Sequence, residues 1–186
     1  MRELIADLFL SLDGFASGMG EKPYFGCLGP ELETWVRENL DPPQYLIMGR
    51  VTYTALAGFS ANGKDEVSRK MKAIPKLVFS STLKEPLQWE NTQLVRGTLE
   101  HEIPQLKREG TKVLRSIGSI SLVRSMIELN LVDRLRLMFF PVILGKLGRE
   151  PAFANCRRTE LELIACRSVD SRIMLVEYAP GRSRNR

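Results

Sequence analysis

The amino-acid sequence predicts an α/β protein with a mostly parallel central sheet and antiparallel strands at its C-terminal end. Over the first two thirds of the 186 residues, short apolar runs alternate with amphipathic segments, an order that favours parallel strands joined by helices. The last third is strand-rich. We expect residues 1–180 to form one domain, because domains usually contain ~100–200 residues.

The first predicted strand, residues 2–12, is apolar on both faces, which is typical of a covered sheet. Further strands are predicted at 45–48, 76–79, 93–96, 112–117, 134–144, 160–167 and 173–178, the last two as a hairpin-like pair. Helices are predicted at 30–40, 52–57, 65–73, 100–109 and 120–129. Pro104 lies inside the fourth helix, and because proline disrupts a helix interior, we expect that helix to begin near Ile103.

The formal net charge of +5 does not by itself indicate a polyanionic partner. Residues 181–186 contain three arginines and no acid, and we expect them to form a disordered tail. Without this tail the charge falls to +2. The sequence also shows no basic stripe with interleaved aromatic residues, so nucleic-acid binding is not expected.

The sequence indicates neither a membrane segment nor a metal site. The uncharged apolar stretch at 137–145 is shorter than the ~20 residues of a spanning helix, and Glu3 and Asp7 interrupt any apolar leader. Three widely spaced cysteines and the single histidine, His101, fit no zinc site or Cys/His nucleophile. We therefore expect reduced thiols and a cytoplasmic location.

Small and polar residues follow three of the predicted strands, where ligands of open α/β sheets bind. Glycine permits close backbone approach, a helix start presents free N–H groups, and an arginine can bind a phosphate through two hydrogen bonds. The residues concerned are Gly49, Arg50 and Thr52; Ser80 and Ser81; and Gly118 and Ser119 with the following helix, which includes Ser121 and Leu122. They predict a phosphate-bearing ligand, although each group also fits a purely structural turn or cap.

Several of these segments resemble one enzyme superfamily. Residues 47–53, Ile-Met-Gly-Arg-Val-Thr-Tyr, resemble the Gly-Arg-x-Thr segment of dihydrofolate reductases. Residues 11–14, 131–135 and 141–145 more closely resemble the reductase domain of riboflavin biosynthesis, which shares that fold. The resemblance extends from about Leu4 to Tyr178. It implies a three-layer dihydrofolate reductase-like fold, NADPH as cofactor, and often a homodimer.

By this resemblance the protein is a reductase that transfers hydride to a small pyrimidine-like, pterin-like or carbonyl substrate, as the 5-amino-6-(5-phosphoribosylamino)uracil reductases do. The resemblance places cofactor phosphates on Gly49, Arg50 and Thr52, the adenosine 2′-phosphate on Ser80 and Ser81 with Arg50, and the pyrophosphate on Gly118 and Ser119 with the helix after them. A cation at the 2′-position favours NADPH over NADH, for which an acid on the ribose would be expected.

Hydride transfer also needs a proton donor. Matching the first predicted helix to dihydrofolate reductases puts Leu32 at the position of their acid, which argues against dihydrofolate as substrate. Asp7 and Asp13 are the remaining candidates. Asp7 would lie on the substrate side of the first strand, where burial would raise its pKa and suit it to proton donation. Asp13 either serves the site or only shapes its turn. A nucleotide-binding module without turnover remains the alternative.

Overall fold

The computed structural model describes residues 1–60 and 62–181, and its centre is an eight-stranded sheet. The strands of the chain are β1 (Leu4–Ser11), β2 (Phe15–Gly18), β3 (Gln44–Gly49), β4 (Lys76–Phe79), β5 (Thr92–Val95), β6 (Val113–Ile117), β7 (Arg134–Phe140), β8 (Gly148–Pro151), β9 (Leu161–Val169) and β10 (Ile173–Pro180). The helices are α1 (Pro30–Glu38), α2 (Arg50–Ser60), α3 (Glu66–Ala73), α4 (Leu99–Arg108) and α5 (Ile120–Glu128).

The strand order in the central sheet is β5-β4-β3-β6-β1-β7-β10-β9. Neighbours from β5 to β7 are parallel, whereas β10 pairs antiparallel with both β7 and β9. The predicted sheet, mostly parallel with antiparallel C-terminal strands, is confirmed. Strand β1 lies between β6 and β7, so side chains from three distant parts of the chain meet across it.

Helices cover the sheet on both faces, giving three layers. On one face, α4 and α5 pack on the sheet through a cluster that includes Leu8, Ile103 and Val123. On the other face, α1 packs through Trp35, while α2 and α3 pack on Met48 and other residues. Because side chains alternate along a strand, Asp7 and Phe9 of β1 point to the face that α1 covers.

The structure corrects some of the predicted boundaries. Helix α4 begins at Leu99 and continues through Pro104, so the expected start near Ile103 is wrong. Ile103 is fully buried in the core, and this burial outweighs the one backbone hydrogen bond that proline removes. Strand β7 ends at Phe140, four residues earlier than predicted, because Pro141 lacks the N–H group needed to continue the ladder.

Two short strands were not predicted. Strands β2 and β8 pair antiparallel as a separate two-stranded ribbon. Each has only four residues and no clear apolar alternation, so the sequence offered little signal. Within residues 1–60 and 62–181, no helix combines the length and apolarity needed to cross a bilayer. The predicted tail falls almost entirely outside the described residues; only Gly181 is described, and its N–H donates to the Glu160 carbonyl over 2.7 Å.

Candidate functional site

A cleft of about 1170 Å³ runs along the carboxyl ends of β3, β4 and β6 and reaches the middle of β1. It brings together most of the residues that the sequence singled out. Those that line it are Asp7, Gly49, Arg50, Thr52, Gly118, Ser119, Ser121 and Leu122. Asp13, Ser80 and Ser81 do not line it.

One half of the cleft is built from the turns that follow β3 and β6. These strands are parallel neighbours, so their carboxyl ends lie side by side, and α2 and α5 begin directly beyond them. The Gly49 N–H donates to the Ser119 hydroxyl over 3.0 Å, which ties the two turns together. The first N–H groups of a helix have no intrahelical acceptor, and a helix N-terminus is electropositive. Two such ends therefore meet at this part of the cleft, which we call the cofactor half.

The backbone at the start of α5 leaves those N–H groups available. Gly118 has φ +60°, a left-handed conformation that favours glycine, and Ser119 follows in the same region with φ 58°. Ser119 precedes the helix but makes no side-chain cap to it, since its hydroxyl accepts from Gly49 instead. The N–H groups of Ser121 and Leu122 thus remain free to bind an anion.

Gly49 and Arg50 suit a ligand rather than the core. A Cβ built on Gly49 would meet nothing within 4 Å, so the glycine is not required by protein packing and leaves the cleft open at that point. Arg50 is exposed, and its guanidinium forms no ion pair or hydrogen bond within the described part of the chain. Thr52 lies across from Gly118: a Cβ atom built on that glycine would be 3.7 Å from the methyl carbon of Thr52.

Ser80 and Ser81 serve the turn after β4. The Ser80 hydroxyl accepts the N–H groups of Thr82 and Leu83 over 3.2 and 3.1 Å. Arg96 donates to the carbonyl oxygens of Ser80 and Ser81. These contacts match the structural alternative, and neither serine is among the residues that line the cleft.

Asp13 likewise holds a turn together. Its carboxylate accepts the Ser11 hydroxyl over 2.7 Å and the N–H groups of Gly145 and Leu144 over 2.8 and 3.1 Å. The hydrogen bond from Ser11, supported by those from Gly145 and Leu144, lowers the pKa of Asp13 below its usual value. Asp13 therefore connects the end of β1 to the loop after β7, outside the cleft lining.

Asp7 lies at the inner end of the cleft, but its contacts are not those of a proton donor. It is 1% exposed, and its oxygens accept from Arg115 Nε over 2.5 Å and from Arg136 Nε and Nη2 over 2.6 and 2.8 Å. Both carboxylate oxygens are thus taken up by hydrogen bonds from the two arginines. That Asp7 donates a proton stays a prediction, and these contacts do not favour it.

Arg115 and Arg136 were missed by the sequence analysis. Each lies in the middle of a strand, and the only signal was a charged residue inside an apolar run. Their Cζ atoms lie 5.6 and 5.2 Å from the ring centre of Trp35 on α1. Both arginines also donate to Asn39. Arg115 donates to the backbone carbonyl oxygen of Asn39, and Arg136 donates to its side-chain Oδ1 over 2.8 Å.

Aromatic side chains form the wall above this charged group. The ring of Phe9 lies 5.5 Å from Tyr24 and 6.1 Å from Trp35, measured between centroids. Tyr24 and Phe25 have φ angles of 54° and 51°, a left-handed conformation that is strained for aromatic residues. Burial raises the pKa of Tyr24, so its phenol stays protonated. We call this part of the cleft, with Asp7 and the two arginines, the substrate half.

The chain is similar to proteins of one family over nearly its whole length. Residues 2–175 match the family model described as RibD C-terminal domain. The uncharacterized protein YyaP of Bacillus subtilis (strain 168) is 26% identical over 184 residues, which cover 95% of this chain and 94% of that protein.

Solved structures share the fold at low sequence identity. A putative riboflavin biosynthesis protein from Shewanella sp. PV-4 superposes with a TM-score of 0.77 at 23% identity, covering 97% of this chain and 100% of the other. The diaminohydroxyphosphoribosylaminopyrimidine deaminase/5-amino-6-(5-phosphoribosylamino)uracil reductase of Thermotoga maritima gives 0.69 at 14%, covering 97% and 57%. Dihydrofolate reductase from Enterococcus faecalis, complexed with NADP(H) and RAB-propyl, gives 0.63 at 13%, covering 97% of each.

Proposed function

Since the chain belongs to the RibD C-terminal domain family, we propose that residues 1–180 form one NADPH-dependent reductase domain acting on a small pyrimidine-like, pterin-like or carbonyl substrate. The observation that supports this most directly is the cofactor half of the cleft. There, two helix N-termini joined by the Gly49–Ser119 hydrogen bond lie beside Arg50, a cation that pairs with none of the residues that the structure describes.

The residues of the cofactor half fit a phosphorylated dinucleotide. The free N–H groups at Ser121 and Leu122 would hold the pyrophosphate, and the absence of a side chain at Gly49 would let the cofactor approach the backbone. Arg50 would bind the 2′-phosphate that distinguishes NADPH from NADH. Bound NADPH supplies the hydride.

The substrate half would hold a flat molecule beside the cofactor. Phe9, Tyr24 and Trp35 give it an apolar wall that excludes water, and electrostatic interactions are stronger where water is excluded. Arg115 and Arg136 lie below this wall, held in place by Asp7. Arg115, which lines the cleft, would orient the substrate through charge and hydrogen bonds, while Arg136 keeps its donors on Asp7 and Asn39.

Cofactor titration tests the proposed role of Arg50. We expect the wild-type protein to bind NADPH about 10- to 100-fold more tightly than NADH, since a charge-assisted hydrogen bond contributes roughly 1.5–3 kcal/mol. Arg50→Ala should remove that preference, as measured by fluorescence titration with both cofactors. Arg108→Ala, which removes an exposed cation outside the cleft lining, is the matched control. Equal affinities of the wild-type protein for the two cofactors would contradict the proposal.

A nucleotide-binding module without turnover is the second candidate. It is favoured by the contacts of Asp7, whose two oxygens are both taken up by arginines, and by Leu32 at the position of the acid in dihydrofolate reductases. NADPH oxidation measured with pyrimidine, pterin and carbonyl substrates separates the two. Cofactor binding without oxidation in the presence of any of these substrates would favour the module.

We also propose that two copies of the chain associate through the edge strand β9. All its residues except Val169 are exposed, and long exposed edges tend to pair with another strand. Apolar side chains add to this surface: Leu161, Leu163, Ile164 and, on β10, Met174. Light scattering should show a dimer that Leu163→Asp dissociates and that Met19→Asp, at an exposed residue outside β9, leaves intact. A monomeric wild-type protein would contradict this proposal.

A further inference from the structure

The charged group in the substrate half has one more cation than anion. Arg115 and Arg136 both pair with Asp7, and their other partner, Asn39, is neutral. Arg115 and Asp7 are only 5% and 1% exposed. A buried charge without a counter-ion is unfavourable, so the surplus positive charge would be stabilised by an anion.

The two arginines differ in how many of their donors are used. All three nitrogens of the Arg136 guanidinium bond to Asp7 or Asn39. Arg115 uses Nε on Asp7 and Nη1 on the Asn39 carbonyl, and its Nη2 has no hydrogen-bond partner within residues 1–60 and 62–181. Arg115 lines the cleft, whereas Arg136 does not. The unused donor of this positively charged group therefore lies on Arg115, the arginine that lines the cleft.

Burial also acts directly on Arg115. It lowers the pKa of the Arg115 guanidinium, against the opposing effect of Asp7. The charged form is thus poorly solvated where it lies. A negatively charged ligand group at Nη2 would replace the solvation that burial removes.

The surroundings of Arg115 restrict the shape of that group. The Trp35 ring lies over the guanidinium, and Phe9 and Tyr24 continue the apolar wall. Tyr24 and Phe25 keep a strained left-handed backbone there, and such strain persists where the surrounding structure requires it, commonly at binding sites. A flat ring packs well against an aromatic wall, and a planar carboxylate matches the planar guanidinium.

We propose that the substrate half binds a planar aromatic or heterocyclic ring bearing a carboxylate, and that Arg115 binds this carboxylate. The proposal rests on the proposed function in one respect: the ring that bears the carboxylate is the molecule to be reduced. The carboxylate itself is bound and does not react.

A matched pair of ligands tests the proposal by calorimetry, without turnover. Uracil-6-carboxylate and uracil-6-carboxamide differ in charge and little in shape. We expect the wild-type protein to bind the carboxylate at least 10-fold more tightly than the carboxamide, and inorganic phosphate not to displace it. Equal affinities, or displacement by phosphate at comparable concentration, would overturn the proposal.

Two variants test whether Arg115 causes the preference for the carboxylate. Arg115→Lys keeps the charge but loses the planar fork, and it should reduce carboxylate affinity about 10-fold with little change for the carboxamide. Asp7→Asn keeps an acceptor for the arginines but removes their negative partner, and it should increase carboxylate affinity several-fold, a gain that a merely structural role would not produce. Arg108→Lys, outside the cleft lining, is the control. If neither variant changes the ratio of the two affinities, Arg115 does not bind the carboxylate.

NADPH titration of the same proteins separates this proposal from the proposed function. Arg115 lies in the substrate half, so we expect NADPH affinity to be unchanged in Arg115→Lys. Carboxylate selectivity without NADPH binding would support the carboxylate site and reject the reductase. NADPH binding without carboxylate selectivity would support the reductase and reject the carboxylate site.

Discussion

Backbone groups form most of one half of the cleft, and side chains form most of the other. The cofactor half consists mainly of backbone: two turns, two helix starts and one hydrogen bond between Gly49 and Ser119. The substrate half consists of side chains, chiefly the carboxylate of Asp7 and the two arginines that flank it in the sheet. Residues of the cofactor half can be substituted with little effect on the core. The substrate half is part of the core, so substitutions there affect stability as well as binding.

Removing Asp7 should have the largest effect. Asp7→Ala leaves two guanidinium groups facing each other without a counter-ion, and we expect the free energy of unfolding to fall by about 3–5 kcal/mol in urea titrations. Glu160→Ala, which breaks the exposed pair with Arg158, should cost less than about 1 kcal/mol. Similar losses in the two variants would contradict the view that the Asp7 ion pairs are part of the core.

Lys76 is a second buried cation, and unlike Arg115 it has no carboxylate at contact distance among the described residues. Its ammonium group donates to the carbonyl oxygens of Met71, Lys72 and Ile74. Burial lowers the pKa of Lys76 from 10.5 to about 8, while the charge of Glu90 opposes the shift. The unfolded chain therefore binds more protons than the folded one between those values, and stability due to this group rises with pH across that window.

The expected change can be measured against a variant that cannot titrate. Between pH 8 and 10.5 the free energy of unfolding of the wild-type protein should rise by roughly 3 kcal/mol relative to Lys76→Met, at about 1.4 kcal/mol for each pKa unit. Parallel pH profiles for the two proteins would show that the ammonium stays protonated on its three carbonyl acceptors.

Gly49→Ala should change binding more than stability. The added methyl group would meet no protein atom within 4 Å, so we expect the free energy of unfolding to change by less than about 0.5 kcal/mol. It would instead occupy the cofactor half, and NADPH affinity should fall about 10-fold, or about 1.4 kcal/mol. Gly58→Ala, at another glycine with open space around it, should leave affinity unchanged. Unchanged affinity in Gly49→Ala would remove Gly49 from the site.

The smallest effect is expected for Asp13→Asn. Because Asp13 lies outside the cleft lining, NADPH and substrate affinities should stay within twofold of the wild type by titration. The lowered pKa of Asp13 means that its stabilising contribution is present above its ordinary pKa of 3.8 and is lost as pH falls through the lower folded value. A large loss of substrate affinity in Asp13→Asn would instead place this carboxylate in the site.

The cofactor half could be predicted from the sequence because the patterns that indicate it are local. A glycine followed by polar residues at a strand end, as at Gly49 and Gly118, requires only that the strand be recognised. The same local reasoning is ambiguous for Ser80 and Ser81, since a hydroxyl at a strand end can equally well hold its own turn. The boundary of α4 was missed because burial of Ile103 depends on tertiary packing.

The substrate half depends on information that no single segment contains. Arg115 and Arg136 meet Asp7 only because β1 lies between β6 and β7. That strand order is a property of the whole sheet, so Asp7 alone suggested an unpaired acid with a raised pKa. An arginine inside an apolar strand was the one signal that pointed to a buried partner.

The position of β1 also has a consequence for the order in which the site is assembled during synthesis. Asp7 leaves the ribosome 129 residues before Arg136 does. The turns at Gly49 and Gly118 and the start of α5 have all been synthesised by then. Asp7 therefore acquires its full set of partners only in a late step, when β7 docks beside a strand that was synthesised well before it.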